Sequence, residues 1–304
     1  MPELDKDGNA WRKKRLRARK VAAHGKVLLG LRNASERTCR ARALTNSARS
    51  AILGRTESTA RSASAQGWAM HFDLISLVND GEFYVLDVEG DGERDQHPVE
   101  LSLLRYNRGT PAEEFHWLVN PERPIGPFVS GLHGITDRMV ADAPTFAEIK
   151  ADFVSHFEGS VIVAHNIKDD IRLLAPVMPE AALLPSRMID TIRLSRNVVK
   201  EIGRHNLDSL AEVLGIEVPA VRPYPVHTDH PFRGLARHST GVDTYLAGEA
   251  LVRMAARIDP TPKQLRHVSQ SALYQLNQRQ QQALRDEIDA RAASTASPGV
   301  VARV

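Results

Sequence analysis

The sequence predicts an α/β layer structure, a mixed central sheet with helices on both faces. Strand-type apolar runs near 82–89, 98–107 and 113–119 follow one another as a meander. A short buried-strand run from Val161 then leads into a helical pattern with Ile167, Ile171 and Leu174 at i, i+4 and i+7. A long helix follows through Ala247, Ala250, Leu251 and Met254. With 304 residues and 42% apolar composition, the chain can bury one sizeable core and still carry appendages.

The first strand, Glu82-Phe-Tyr-Val-Leu-Asp-Val-Glu-Gly90, ends in two acids one residue apart. Alternate strand residues point the same way, so Asp87 and Glu89 share a face. Acids are depleted from strand interiors and costly to bury unpaired, so the pair calls for a cation or a basic partner. From this piece alone, a strand end dissolving into the solvated loop Gly90-Asp-Gly-Glu-Arg-Asp95 is the equal alternative.

In Val161-Ile-Val-Ala-His-Asn-Ile-Lys-Asp-Asp170, helix geometry separates two adjacent acids. Asp170 falls on the apolar stripe and needs a buried partner, whereas Asp169 points about 100° away and can pair with Arg172 at i+3. His165 and Asn166 occupy the turn, where backbone hydrogen bonding competes with any functional role. The third element, Arg237-His-Ser-Thr-Gly-Val-Asp-Thr-Tyr245, opens the long helix. Thr240 and Asp243 fit a capping box, which leaves His238 unexplained. A loop histidine just ahead of a carboxylate-bearing helix start is placed to titrate near neutral pH and to take a proton from a nearby water.

In this order the three elements resemble the DEDDh family of 3′–5′ exonucleases, the group that includes the proofreading epsilon subunit of bacterial DNA polymerase III, ribonuclease T and oligoribonuclease. The resemblance spans residues 81 to 258. Leu132-His-Gly-Ile-Thr-Asp-Arg-Met-Val140 with Ala143-Pro-Thr-Phe146 looks like the family segment that helps bind the terminal nucleotide. Met188-Ile-Asp-Thr-Ile192 and His205-Asn-Leu-Asp-Ser-Leu210 look like the strand-to-helix turn and following helix of that family.

The resemblance implies a ribonuclease-H-like three-layer fold. It implies that Asp87, Glu89, Asp170 and Asp243 bind metal, that His238 is the general base, and that His133, Gly90 and Asn166 contact substrate. The implied cofactors are two divalent ions, Mg²⁺ with Mn²⁺ as substitute, which suit oxygen ligands. The implied reaction is two-metal hydrolysis at the 3′ ends of single-stranded DNA or RNA, releasing nucleoside 5′-monophosphates, with DNA expected first. RNA trimming by an oligoribonuclease-type enzyme is the alternative within the family. A non-catalytic nucleic-acid-binding or polymerase-associated module is the alternative outside it. Two positions depart from the family pattern: Gly90-Asp-Gly92 stands where a threonine is usual, and Asp169 where an aromatic or apolar residue is common.

Other acids and histidines have simpler readings. Asp190 is expected to cap the helix Thr191 to Val198. His205-Asn206 repeats the second motif's dipeptide, but position 210 is Leu, so capping is expected there too. Glu100 matches an acid common in the family's second strand and is expected in a supporting role. For His133, helix-start packing competes with a nucleotide contact.

Charge is unevenly divided. Residues 1–67 carry 16 Lys and Arg against 5 Asp and Glu, a surplus of 11, while the other 237 residues carry 24 against 32. The expected organisation is a basic, disordered N-terminal arm over 1–67, an exonuclease domain over 68–258, and a C-terminal helical extension with a disordered tail over 259–304. The arm would add salt-dependent, sequence-independent affinity for phosphates. Its Arg and Ser content also suits a transit peptide, against which Glu3, Asp5 and Asp7 stand.

The single cysteine, Cys39, excludes an internal disulfide and suits a reducing compartment, so the cytoplasm is the expected location. No apolar run approaches the roughly 20 residues of a membrane helix. Phosphate-loop and dinucleotide-binding glycine patterns are absent, which argues against a nucleotide-driven motor. Single-stranded 3′ ends are the expected partners, with a polymerase subunit or self-association as further candidates and no membrane.

Overall fold

The computed structural model describes residues 72–228 and 239–296. The meander forms its centre: β1 (Glu82–Gly90), β2 (Pro98–Asn107) and β3 (Thr110–Leu118). Two parallel strands, β4 (Val161–Ala164) and β5 (Arg187–Asp190), extend the sheet on the β1 side, and β6 (Val226–His227) closes the other edge. The strand order is β5-β4-β1-β2-β3-β6, with β2 antiparallel to both its neighbours and the other pairings parallel. This is the mixed α/β sheet of the ribonuclease-H-like arrangement.

The third strand starts three residues before the expected position. Asn107 pairs with Thr110 around a two-residue turn in which Arg108 (φ 50°) and Gly109 (φ 70°) both take left-handed conformations. Such turns match the twist of a hairpin and let pairing begin at once. Pro111 disguises the strand in the sequence, and the structure tolerates it at a register shift beside Tyr106.

Helices cover both faces. Before the sheet comes α1 (Leu74–Asp80), capped by Asp73, whose side chain accepts from the N–H groups of Ile75 and Ser76. Between β3 and β4 lie α2 (Pro127–His133), α3 (Asp137–Val140) and α4 (Phe146–Phe157), the last closed by a full capping box of Thr145 and Glu148. After β4 comes α5 (Ile167–Leu174), and after β5 come α6 (Thr191–Val198) and α7 (Leu207–Leu214). The long α8 (Thr240–Ala255) lies across β1 and β2, and α9 (Pro262–Ala272) packs on α6 and α1. Finally α10 (Gln278–Ala296) lies against the short 3-10 turn Pro179–Ala182.

Period-two alternation divides β1 between two cores. Phe83 and Val85 face α8 together with Leu104, Tyr106, Leu246 and Leu251. Leu86 and Val88 face α4 and α5, where Phe146, Phe153, Phe157 and Leu174 are buried. The approach of α8 to β2 is close because Gly248 lies flat on Tyr106; a Cβ there would fall 2.6 Å from the phenolic oxygen. Among the described residues no helix is long and apolar enough to cross a membrane.

Candidate active site

The α8-facing row of β1 continues from Phe83 and Val85 to Asp87 and Glu89, as strand alternation requires. From the first turn of α8, Asp243 meets them. One carboxylate oxygen from each of Asp87, Glu89 and Asp243 lies within 4.8 Å of the others. Asp170 joins from α5, on the helix face the apolar stripe assigned to it, and is 5% exposed. Its Oδ1 accepts the Val88 N–H at 3.1 Å, between the two β1 acids. Asp169 instead faces solvent beside Arg172. The four sequence-predicted carboxylates therefore converge from three elements.

Convergence costs electrostatic energy. Burial holds the Asp87 carboxyl well above the usual range, and repulsion from Asp170, Asp243, Glu89 and Glu100 adds to it. Burial also raises Asp170 strongly; backbone N–H donors offset part of the shift, and Asp169 and Glu89 repel it further. The Asp87 residue keeps some exposure, yet its Oδ2 is wholly buried and has no hydrogen-bond partner. An orphaned carboxylate oxygen among like charges is what a bound cation relieves. The all-oxygen donor set suits a hard divalent ion of the magnesium or manganese class.

A buried polar layer under α8 braces this group, and local sequence did not reveal its pairings. Glu100 lies opposite Glu89 across the β1–β2 ladder and is fully buried. Its Oε1 meets His116 Nε2 at 3.1 Å, and its Oε2 accepts the Thr240 N–H at 3.0 Å. Beside it, Glu114 accepts from Ser102 Oγ at 3.1 Å and pairs with Arg222, 3.3 Å from Nε. The Arg222 guanidinium fills the space under Gly241, 2.7 Å from where a Cβ would be. The one sequence signal was Glu114 and His116 recurring at alternate positions of an otherwise strand-like run.

This layer corrects one expectation. Thr240 and Asp243 do not form a capping box: the helix begins at Thr240 after Ser239, with no side-chain cap, and Glu100 takes the Thr240 N–H. Asp243 faces the β1 acids.

The remaining candidates brace the rim. Gly90 is buried with no room for a side chain, since a Cβ would fall 2.7 Å from Gln96 Oε1 and against Leu173. Its carbonyl accepts from His133 Nε2 at 3.2 Å, while His133 Nδ1 accepts the Ile135 N–H at 3.0 Å. That pattern fixes the neutral tautomer with its proton on Nε2. His133 is 3% exposed, so it acts as a clasp on Gly90 from inside. Asn166, in the left-handed conformation at φ 71°, donates its backbone N–H to Asp190 and its side-chain amide to Asp169. Asp190 caps α6 through the Ile192 N–H at 2.9 Å, and Asn206 caps α7. His238 lies outside the described residues, as does the basic stretch 1–67.

Residues 77–227 match the family model whose description is Exonuclease (RNase_T). This segment of the chain is an exonuclease domain of that family. A DNA polymerase III subunit epsilon-like protein of Rhodobacter capsulatus is 33% identical over 178 residues, 57% of this chain and 23% of that protein. A PolC-type DNA polymerase III of Caldanaerobacter subterraneus is 30% identical over 142 residues, 46% of this chain and 10% of that one. The chain thus spans less than a quarter of the length of either relative. The solved structure of exonuclease X in complex with 5′ overhanging duplex DNA aligns at 26% identity and TM-score 0.48, over 62% of this chain and 99% of that one. The exonuclease match ends at 227, ahead of both Asp243 and His238.

Proposed function

We propose that the chain is a divalent-metal-dependent 3′–5′ exonuclease acting on single-stranded nucleic acid ends and releasing nucleoside 5′-monophosphates, with DNA as the first substrate to test. The observation that carries this reading is the meeting of Asp243, from beyond the family match, with Asp87 and Glu89. The buried Asp87 Oδ2, which has no hydrogen-bond partner and is crowded by other carboxylates, is poorly explained by a binding module, whose phosphate-facing surface would be cationic.

In this reading Asp87, Glu89, Asp170 and Asp243 hold the cations. Divalent ions supply Lewis acidity toward a phosphodiester and lower the pKa of an attacking water. His238, five residues ahead of Asp243 in the sequence, takes the proton from that water. A base of this kind contributes about 10²–10⁴-fold. Glu100 fixes the helix start that carries Asp243, and Gly90, held by His133, together with Asn166 forms the rim against the terminal nucleotide. The epsilon-like relative supports a polymerase-associated role as the partner reading, and a cytoplasmic location goes with it.

The test is degradation of 3′- and 5′-labelled single-stranded DNA and RNA of one sequence with Mg²⁺, Mn²⁺ or EDTA, by wild type, Asp87→Ala and His238→Ala. Metal-dependent shortening from the 3′ end, lost in both variants, is expected, and the faster sugar names the substrate. Cleavage indifferent to both substitutions, or none with any metal, sinks the assignment.

A further inference from the structure

A cleft of about 570 Å³ opens between the β1–β2 loop, α5 and the C-terminal helix α10. It is lined by the apolar Leu173, Pro176 and Leu284 and by Arg94, Arg172 and Arg291. The three arginines come from three different stretches of the chain and line one trough. Leu173 also closes on Gly90, the residue after Glu89, so the cleft begins at the end of the strand that bears the acid pair.

We propose that this cleft binds the phosphodiester backbone of the substrate strand, a few nucleotides from the 3′ end held at the acid cluster. The inference rests on the exonuclease reading above and extends it to substrate length. Arginine suits the role because its planar fork matches phosphate oxygens and is weakly hydrated. The apolar lining residues suit sugars and base edges. Two acids, Asp95 and Glu287, also line the trough. Glu287 pairs with Arg291 at 2.7 Å across one turn of α10, and Arg172 meets Asp169 at 3.5 Å. Exposed pairs of this type are worth about 0–1 kcal/mol. The arginine side chains stay 52% and 71% exposed, so a phosphate can engage them without breaking buried structure. One wall, α10, lies wholly outside the matched exonuclease segment, which makes the longer grip an addition of this chain to the family domain.

The consequence is a length preference that the acid cluster alone does not set. The experiment compares kcat/KM for a 20-nucleotide single strand and for a dinucleotide, over a salt series, in the full chain and in the triple variant Arg94→Ala, Arg172→Ala, Arg291→Ala. The wild type is expected to favour the 20-mer, and the triple variant to lose about ten-fold of that preference. The slope of log kcat/KM for the 20-mer against log salt should flatten by about 2, since each lost phosphate contact on a single strand accounts for about 0.7. An unchanged preference and slope in the variant overturn the proposal. Cleavage of neither substrate by the wild type overturns the exonuclease reading instead. In that event, binding of the labelled 20-mer in EDTA decides the cleft: weaker and less salt-dependent binding by the variant supports it, and equal binding removes it.

Discussion

Glu100 on β2 and Thr240 at the start of α8 are joined by a buried 3.0 Å hydrogen bond from backbone N–H to carboxylate, 140 positions apart in the chain. The same carboxylate meets His116 through its other oxygen. A helix start that would normally find a side-chain cap close by in sequence is instead pinned to the sheet. Truncation to Ala strands the Thr240 N–H and the His116 ring in a dry site, at a cost of about 1–3 kcal/mol. Glu100→Ala is therefore expected to lower the urea midpoint, whereas Glu100→Gln, which keeps an acceptor for Thr240, should retain most of the stability. Equal loss in both variants would count against the pinning role.

Asp87 is costly to the metal-free fold. Asp87→Asn removes a buried charge crowded by four other carboxylates and should stabilise the protein in EDTA by about 1–3 kcal/mol, the scale of relieving an unpaired buried charge. The same substitution should abolish exonuclease activity and the stabilisation that added Mn²⁺ gives the wild type. Thermal melts with and without metal read both effects, and a lowered midpoint in EDTA would contradict the electrostatic account.

The pH dependence follows from the direction of the shifts. Asp87 and Asp170 both have folded-state pKa values raised above the ordinary carboxylate value. The folded chain then holds more protons than the unfolded one between those values, so the stability these groups contribute is full at low pH and lost as pH rises through the raised values. In EDTA the melting midpoint should fall as pH rises above the ordinary carboxylate range, and fall less steeply in Asp87→Asn. An equal slope in both proteins would assign the titration elsewhere.

Gly248 tests the packing of α8 on the sheet. Ala at this position drives a methyl group into the Tyr106 ring, whose hydroxyl reaches the Tyr245 carbonyl and Glu249 on the same helix. Overpacking of this kind costs about 1–3 kcal/mol. Because α8 carries Asp243, turnover should fall together with the urea midpoint. A Gly248→Ala protein of unchanged stability would mean that the ring moves aside freely.

What the sequence disclosed was periodic. Two-residue alternation in 82–89 put Asp87 and Glu89 on one face, and the helical stripe of Ile167, Ile171 and Leu174 chose Asp170 over Asp169; both placements match the structure. What it hid was nonlocal. Nothing near Glu100 announces Thr240, and nothing near Glu114 announces Arg222, because these pairs exist only after the meander and the helices have packed. The capping-box pattern at Thr240 misled for the same reason, a local rule displaced by a tertiary partner. The early start of β3 escaped notice because Pro111 argues against a strand until its bulge is seen.

Carboxylates at positions 87, 89, 170 and 243 belong to one group only when strand, middle helix and late helix are all in place. A ribosome making this chain must pass codon 243 and release that stretch from its exit tunnel before the group can assemble. A nascent chain stalled earlier, or a proteolytic fragment lacking α8, keeps the acids of β1 and α5 but lacks Asp243. Any chemistry that needs all four carboxylates therefore waits on the synthesis and packing of α8.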